Sequence, residues 1–131
     1  MKHSKKVWYA PNKFEAYGEE EIKAVEACLR DGWLAGFGPR SVEFEEKIAK
    51  RSGKKYGVFV NSGSSACLLA IAALDLPKGC KIITPACTFS TTLAPIIQLG
   101  FVPLFCDVGL KSYVPNIKDI IELINDDVKA I

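Results

Sequence analysis

At 131 residues, with 49% apolar and 24% charged side chains, the sequence has the length and composition of one ordinary globular domain with a real core. Seventeen basic against fifteen acidic residues leave a formal charge of +2. That near-balance gives no electrostatic case for nucleic acid or an anionic membrane as the main partner, and the basic opening "MKHSKK" reads as a solvated end.

Residues 1–18 read as irregular, punctuated by Pro11 and Gly18. A helix is predicted over 19–31, with Ile22, Val25, Cys28 and Leu29 on one face, three glutamates at its start and Gly32 to close it. The turn "GWLAGFGPR" follows. Ser41 is then expected to cap a second helix over 42–50, which Gly53 ends. From there the texture alternates. "YGVFV" (56–60) reads as a strand, "SSACLLAIAAL" (64–74) as an apolar helix, and "KIITP" (81–85) as a strand. "STTLAPIIQL" (90–99) reads as a helix with Pro95 near its first turn or kinking it and Gly100 closing it, and "FVPLFCDV" (101–108) as a strand. Asn116 should cap a helix carrying Ile117, Ile120, Ile121 and Ile124 on one face. Strands alternating with helices, apolar without clean period-two alternation, point to a parallel sheet covered on both faces and joined by right-handed crossovers. The closing "DDVKAI" enters a further strand and stops, so the expectation is a piece of a longer protein.

Five cysteines, Cys28, Cys67, Cys80, Cys87 and Cys106, stand in apolar surroundings without a C-x-x-C pair, and the one histidine is His3. Buried free thiols in a reducing compartment are the expectation, not a metal site. No signal-peptide pattern and no membrane-spanning apolar run is present, which makes a cytoplasmic location the expectation.

The chemistry concentrates where strands meet helices, because ligands of parallel α/β sheets bind outside the carboxyl ends of the strands. At "NSGSS" the free N–H groups and positive dipole end of a helix form a ready anion site. Gly63 lets backbone approach closely there, and Ser64 and Ser65 add hydroxyls. A serine that simply caps its own helix is the competing reading. There is no G-x-x-x-x-G-K-[ST] and no G-x-G-x-x-G, so the corner suits one phosphate better than a pyrophosphate. The second corner, "TPACTFSTT", sets Phe89 among Thr84, Thr88, Ser90, Thr91 and Thr92, which suits a flat ring held by stacking; a core aromatic is the alternative. A phosphate at one corner and a ring at the next is how a pyridoxal phosphate site would be built.

Taken in order, "GFGPRSVEFEEKIAKRSGKKYGVFVNSGSSACLLAIAAL", "KGCKIITPACTFSTTLAPIIQLGFVPLFCDV" and "SYVPNIKDIIELINDDVKAI" resemble the DegT/StrS-type sugar aminotransferase family. The resemblance implies the α/β large domain of the aspartate-aminotransferase fold, represented here by its N-terminal part. Residues 1–40 would form an arm, helix and glycine-rich turn, and residues 41–131 a partial cofactor-binding domain. It implies pyridoxal 5'-phosphate, or pyridoxamine 5'-phosphate, with Gly63, Ser64 and Ser65 at the phosphate and Phe89 on the ring. Trp33, Leu34 and Gly36 would border the substrate, and Asp107 would be structural. No catalytic residue is expected before residue 131, because the family's cofactor-bearing lysine and the aspartate at the ring nitrogen lie downstream.

The implied partners are a nucleotide-linked keto sugar and an amino-acid donor, with a homodimer as the assembly and polysaccharide, lipopolysaccharide or deoxyamino-sugar biosynthesis as the setting. Amino transfer is the expected reaction. The close rival is the family's sugar 3-dehydratase branch, which keeps the cofactor as its amine and has histidine in place of the lysine. "SGSSACLLA" and "TTLAPIIQLGFVPLF" lean to that branch, and "TPACTF" to the transaminases. A non-catalytic module holding a phosphorylated ligand is the reading from another class.

Overall fold

In the computed structural model, which describes residues 16–131, Glu19, Glu20 and Glu21 open helix α1 (Glu19–Asp31), where the positive end of the dipole favours them. Glu21 reaches back to accept from the Gly18 N–H at 2.7 Å, and that bond holds its carboxyl below the usual carboxylate range. Gly32 closes the helix at φ 72°, a left-handed conformation that suits glycine. Helix α2 (Pro39–Arg51) begins earlier than the expected Ser41 cap. Pro39 occupies the first turn behind Gly38, where the fixed φ of proline fits and its missing N–H costs nothing. The predicted irregular opening lies, up to residue 15, outside the described residues.

The strand predicted at 56–60 is not formed. Both edges of the central strand are already taken, as described below, and 56–60 joins no outer edge. Its start lies instead against α2: a Cβ at Gly57 would stand 2.6 Å from the Glu45 carbonyl oxygen, so only glycine permits this approach.

The described residues fall into two units, one ending at Val58 and the other running from Phe59 to Ile131. The second unit contains α3 (Gly63–Ala72), β1 (Lys81–Pro85), α4 (Ser90–Gln98), β2 (Val102–Cys106), α5 (Ile117–Leu123) and β3 (Val128–Ala130). All pairings within the sheet are parallel, in the order β2-β1-β3. Lys81 pairs with Val102 and Pro85 with Cys106, which matches the strand read from "KIITP" residue for residue. β2 is shorter than its predicted span, and Val108 instead bridges to Pro115 across the turn that precedes α5. Asn116 caps α5 as expected, its side chain accepting from the Lys118 N–H.

Cys80, Ile82, Ile96 and Phe101 form the core, with Ile71, Leu76, Leu99 and Ala130 packed on it. Ile83 points to the opposite face and is buried too, so the centre of β1 is covered on both sides. The step from β1 to β2 and the return to β3 run in opposite directions across the sheet. With right-handed crossovers this reversal puts α4 and α5 on opposite faces. Pro95 sits mid-helix in α4, and Gly100 turns the chain into β2 at φ 80°.

All five cysteines are free; Cys80 and Cys106 are buried, but Cys87 is exposed, contrary to the expectation of burial. Burial, reinforced by the nearby charges of Asp119 and Asp107, pushes the Cys106 thiol up from its ordinary range. Among the described residues no helix is long and apolar enough to cross a membrane.

Lys81 Nζ donates to Asp127 Oδ2 at 2.9 Å and ties the start of β1 to the turn before β3. The ammonium holds the Asp127 carboxyl below its usual range. A carboxyl lowered on folding stabilises the fold above its unfolded value, about 3.9, and loses that contribution as pH falls through the folded value. Asp127→Asn should therefore lower the urea midpoint modestly at pH 7, the pair being exposed, and the two proteins should converge in acid. Thr84 carries a hydroxyl that is fully buried and unpartnered. Thr84→Val keeps the shape and removes the orphan, so thermal denaturation should show a variant as stable as the parent or more so.

Candidate functional site

Ile71, in the last turn of α3, packs on the cluster that holds Cys80 and Ile82 from the start of β1. The helix therefore runs back along the strand and aims its N-terminus toward the strand's carboxyl end. α4 begins just past that same end. α3 and α4 pack side by side, and Ser64, Ser65 and Leu68 of α3 line one groove with Thr91, Ala94, Pro95 and Gln98 of α4.

The corner has an internal order that the sequence leaves open. Ser62 is the N-cap, extended at φ −162°, ψ 160°, and its Oγ accepts from the Ser65 N–H at 3.2 Å. The Ser62 hydroxyl donates to Ser65 Oγ at 3.1 Å, and the Ser65 hydroxyl donates to Asn61 Oδ1 at 2.7 Å. The capping reading therefore holds for Ser62 and Ser65. Ser62 and Ser65 satisfy the helix and each other. The N–H groups of Gly63 and Ser64 belong to the first turn and have no intrahelical acceptor, and the Ser64 side chain is exposed.

These donors fit a phosphate. Two adjacent N–H groups face outward at the positive end of a helix whose first turn carries no acidic residue. A Cβ built at position 63 meets nothing within 4 Å, so this glycine keeps open the space in front of the helix and relieves no crowding inside the fold. Ser65 can reach an anion only by releasing Asn61. Asn61, immediately before the cap, is the acceptor that holds the Ser65 hydroxyl.

Phe89 is the residue before α4, at φ −75°, ψ 143°, and is 68% exposed. Its ring lies on the surface of these residues and is not part of the core that they form. Trp33 and Leu34 line a cavity of about 560 Å3 within the first unit, together with Asp31 and Arg40. Gly36 lies on the same turn but does not line it.

The fold is α/β with a parallel sheet, one helix start with unpaired N–H groups and another preceded by an exposed aromatic ring. The chain belongs to the DegT/DnrJ/EryC1/StrS aminotransferase family, whose model matches residues 15–131. It is 36% identical over 127 residues to the GDP-4-keto-6-deoxy-D-mannose 3-dehydratase of Escherichia coli O55:H7, covering 92% of this chain and 32% of that protein. It is 34% identical over 116 residues to the UDP-4-amino-4-deoxy-L-arabinose–oxoglutarate aminotransferase of Shewanella sediminis, covering 88% of this chain and 30% of that protein. A solved structure of the Escherichia coli GDP-4-keto-6-deoxy-D-mannose-3-dehydratase with bound hydrated PLP matches with a TM-score of 0.82 and 36% identity, over 89% of this chain and 31% of the other. The chain thus spans under a third of the length of these relatives. The expected fold, the N-terminal part of an aminotransferase-type α/β domain, is borne out.

The two serine roles separate by mutation. Ser62→Ala should cost about 0.5–2 kcal/mol through loss of the cap. Ser64→Ala, on an exposed side chain, should stay within about 0.5 kcal/mol of the parent. Thermal unfolding of both variants checks the assignment.

Proposed function

We propose that the complete protein uses pyridoxal or pyridoxamine 5'-phosphate to act on a nucleotide-linked keto sugar, and that its reaction is dehydration at C3 with the cofactor in its amine form. The observation that carries the cofactor reading is the open donor set at the start of α3: the Gly63 and Ser64 N–H groups in front of a space that a Cβ would enter. In this reading those groups and the Ser64 hydroxyl hold the cofactor phosphate. Ser65 joins them on leaving Asn61, and the exposed ring of Phe89 lies against the pyridine. When bound, the cofactor supplies an electron sink. Trp33, Leu34 and Gly36 border the sugar substrate.

Dehydration is preferred to amino transfer on two grounds. The relative at 36% identity over 127 residues is named for a 3-dehydration, and the solved dehydratase superposes at a TM-score of 0.82. "SGSSACLLA" and "TTLAPIIQLGFVPLF" lean the same way. Amino transfer is the second reading; it is favoured by "TPACTF" and by the aminotransferase at 34% identity.

The test is to supply the complete protein with the cofactor, glutamate and a nucleotide-linked 4-keto-6-deoxy sugar, and to weigh the sugar product. A product lacking the C3 hydroxyl supports dehydration, and one with an amine in place of the keto oxygen supports amino transfer. An unchanged sugar contradicts both. In the same protein Phe89→Ala should weaken cofactor retention by about 0.5–1.5 kcal/mol, the scale of an aromatic pair. Equilibrium dialysis reads that directly, and unchanged retention removes Phe89 from the site.

A further inference from the structure

The turn between α1 and α2 is closed by one side chain that reaches across it. Trp33 follows directly on Gly32, which stops α1, and Gly38 is the residue that opens α2. The Trp33 Nε1–H donates to the Phe37 carbonyl at 3.2 Å. The pyrrole edge of the same ring lies on Gly38, where a Cβ would overlap Cδ1 and stand 2.8 Å from Nε1. Gly38 is buried there, and only glycine leaves room for the indole. Its carbonyl in turn accepts from the Ser41 and Val42 N–H groups of the first turn of α2. The indole therefore ties the exit of one helix to the entry of the next.

A second pair spans the same turn, but more loosely. Arg40 Nη2 and Asp31 Oδ2 are 4.0 Å apart on exposed side chains, so the pair contributes little. The indole, which adds a hydrogen bond to close packing on backbone, is the stronger brace. Residues 34–36 lie between its two anchor points, with the Leu34 side chain exposed.

We propose that Trp33 is a positioning residue, which holds the turn 33–38 in one shape so that Leu34 and Gly36 meet the sugar already in place, with Gly38 as its seat. The inference rests on the nucleotide-sugar reading above and deepens it, by separating the residue that shapes the border from those that form it. A turn fixed beforehand does not have to be ordered by the substrate, so the gain lies in binding. Substrate and transition state meet the same turn, so losing the brace raises KM and spares kcat. A purely structural brace would behave differently: its loss would lower the melting temperature and leave both constants alone.

Steady-state kinetics of the complete protein test this, with the cofactor and a nucleotide-linked 4-keto-6-deoxy sugar, and with cofactor retention and thermal unfolding read on the same samples. Trp33→Phe keeps an aromatic ring but loses the N–H. It should raise the sugar KM about twofold to tenfold, the range of one net hydrogen bond, with kcat and cofactor retention near those of the parent. Gly38→Ala should expel the indole from behind and raise KM at least as much. Trp33→Ala combined with Gly38→Ala should have the KM of Trp33→Ala alone, because the added methyl group then has no ring to meet. Should Gly38→Ala not fold, Trp33→Phe and Trp33→Ala, which add no atoms, carry the test. A parental KM in the Trp33 variants, a fall in kcat without a rise in KM, or effects that multiply in the double variant would each overturn the proposal. A parent protein that retains the cofactor but turns over no nucleotide-linked keto sugar overturns the reading on which it rests.

Discussion

Because β1 is paired on both edges by parallel strands, every crossover in the second unit has to carry the chain back from one end of the sheet to the other. α4, built that way, runs against the strands and begins at the carboxyl edge; α3 precedes the sheet and packs alongside α4. There the unpaired N–H groups of a first turn have nothing from their own helix to bond. The parallel ladder thus sets the start of α4, with the exposed Phe89 just before it, at the carboxyl edge. The buried set of Cys80, Ile82, Ile96 and Phe101 holds this arrangement, since it locks the far ends of the helices onto the start of the strand.

Within the corner, capping and binding do not compete for the same groups. Ser62 and Ser65 are engaged with each other and with Asn61, at distances of 2.7–3.2 Å. The groups left over are those that a phosphate needs. This division explains why three hydroxyls occupy so short a turn: some hold the helix start in shape, and the remaining donors stay free because the others are satisfied locally.

Much of this was legible in the residues. The run "KIITP" reads as a strand and is one, Gly32 and Gly100 stop their helices through left-handed backbone, and Asn116 caps α5. These features are local and depend on one side chain or one φ angle. What the sequence left hidden depends on distant partners. Residues 56–60 have strand composition but no ladder, because pairing depends on a partner strand that composition does not report. The early start of α2 turns on Pro39 at the first position, which outweighs the serine two residues later. The internal bonding of Asn61, Ser62 and Ser65 is not written in any one residue, nor is the exposure of Phe89, whose size and apolarity alone would bury it. The Asp31–Arg40 pairing across the turn joins residues whose spacing fits no regular helix rule.

The account stands or falls on the seat at the start of α3. The most direct measurement is an experimental structure of the complete protein with pyridoxal or pyridoxamine 5'-phosphate bound. The account predicts the cofactor phosphate within hydrogen-bond distance of the Gly63 and Ser64 N–H groups, with the pyridine ring against Phe89. A cofactor phosphate held elsewhere, with these two N–H groups facing only water, would contradict it.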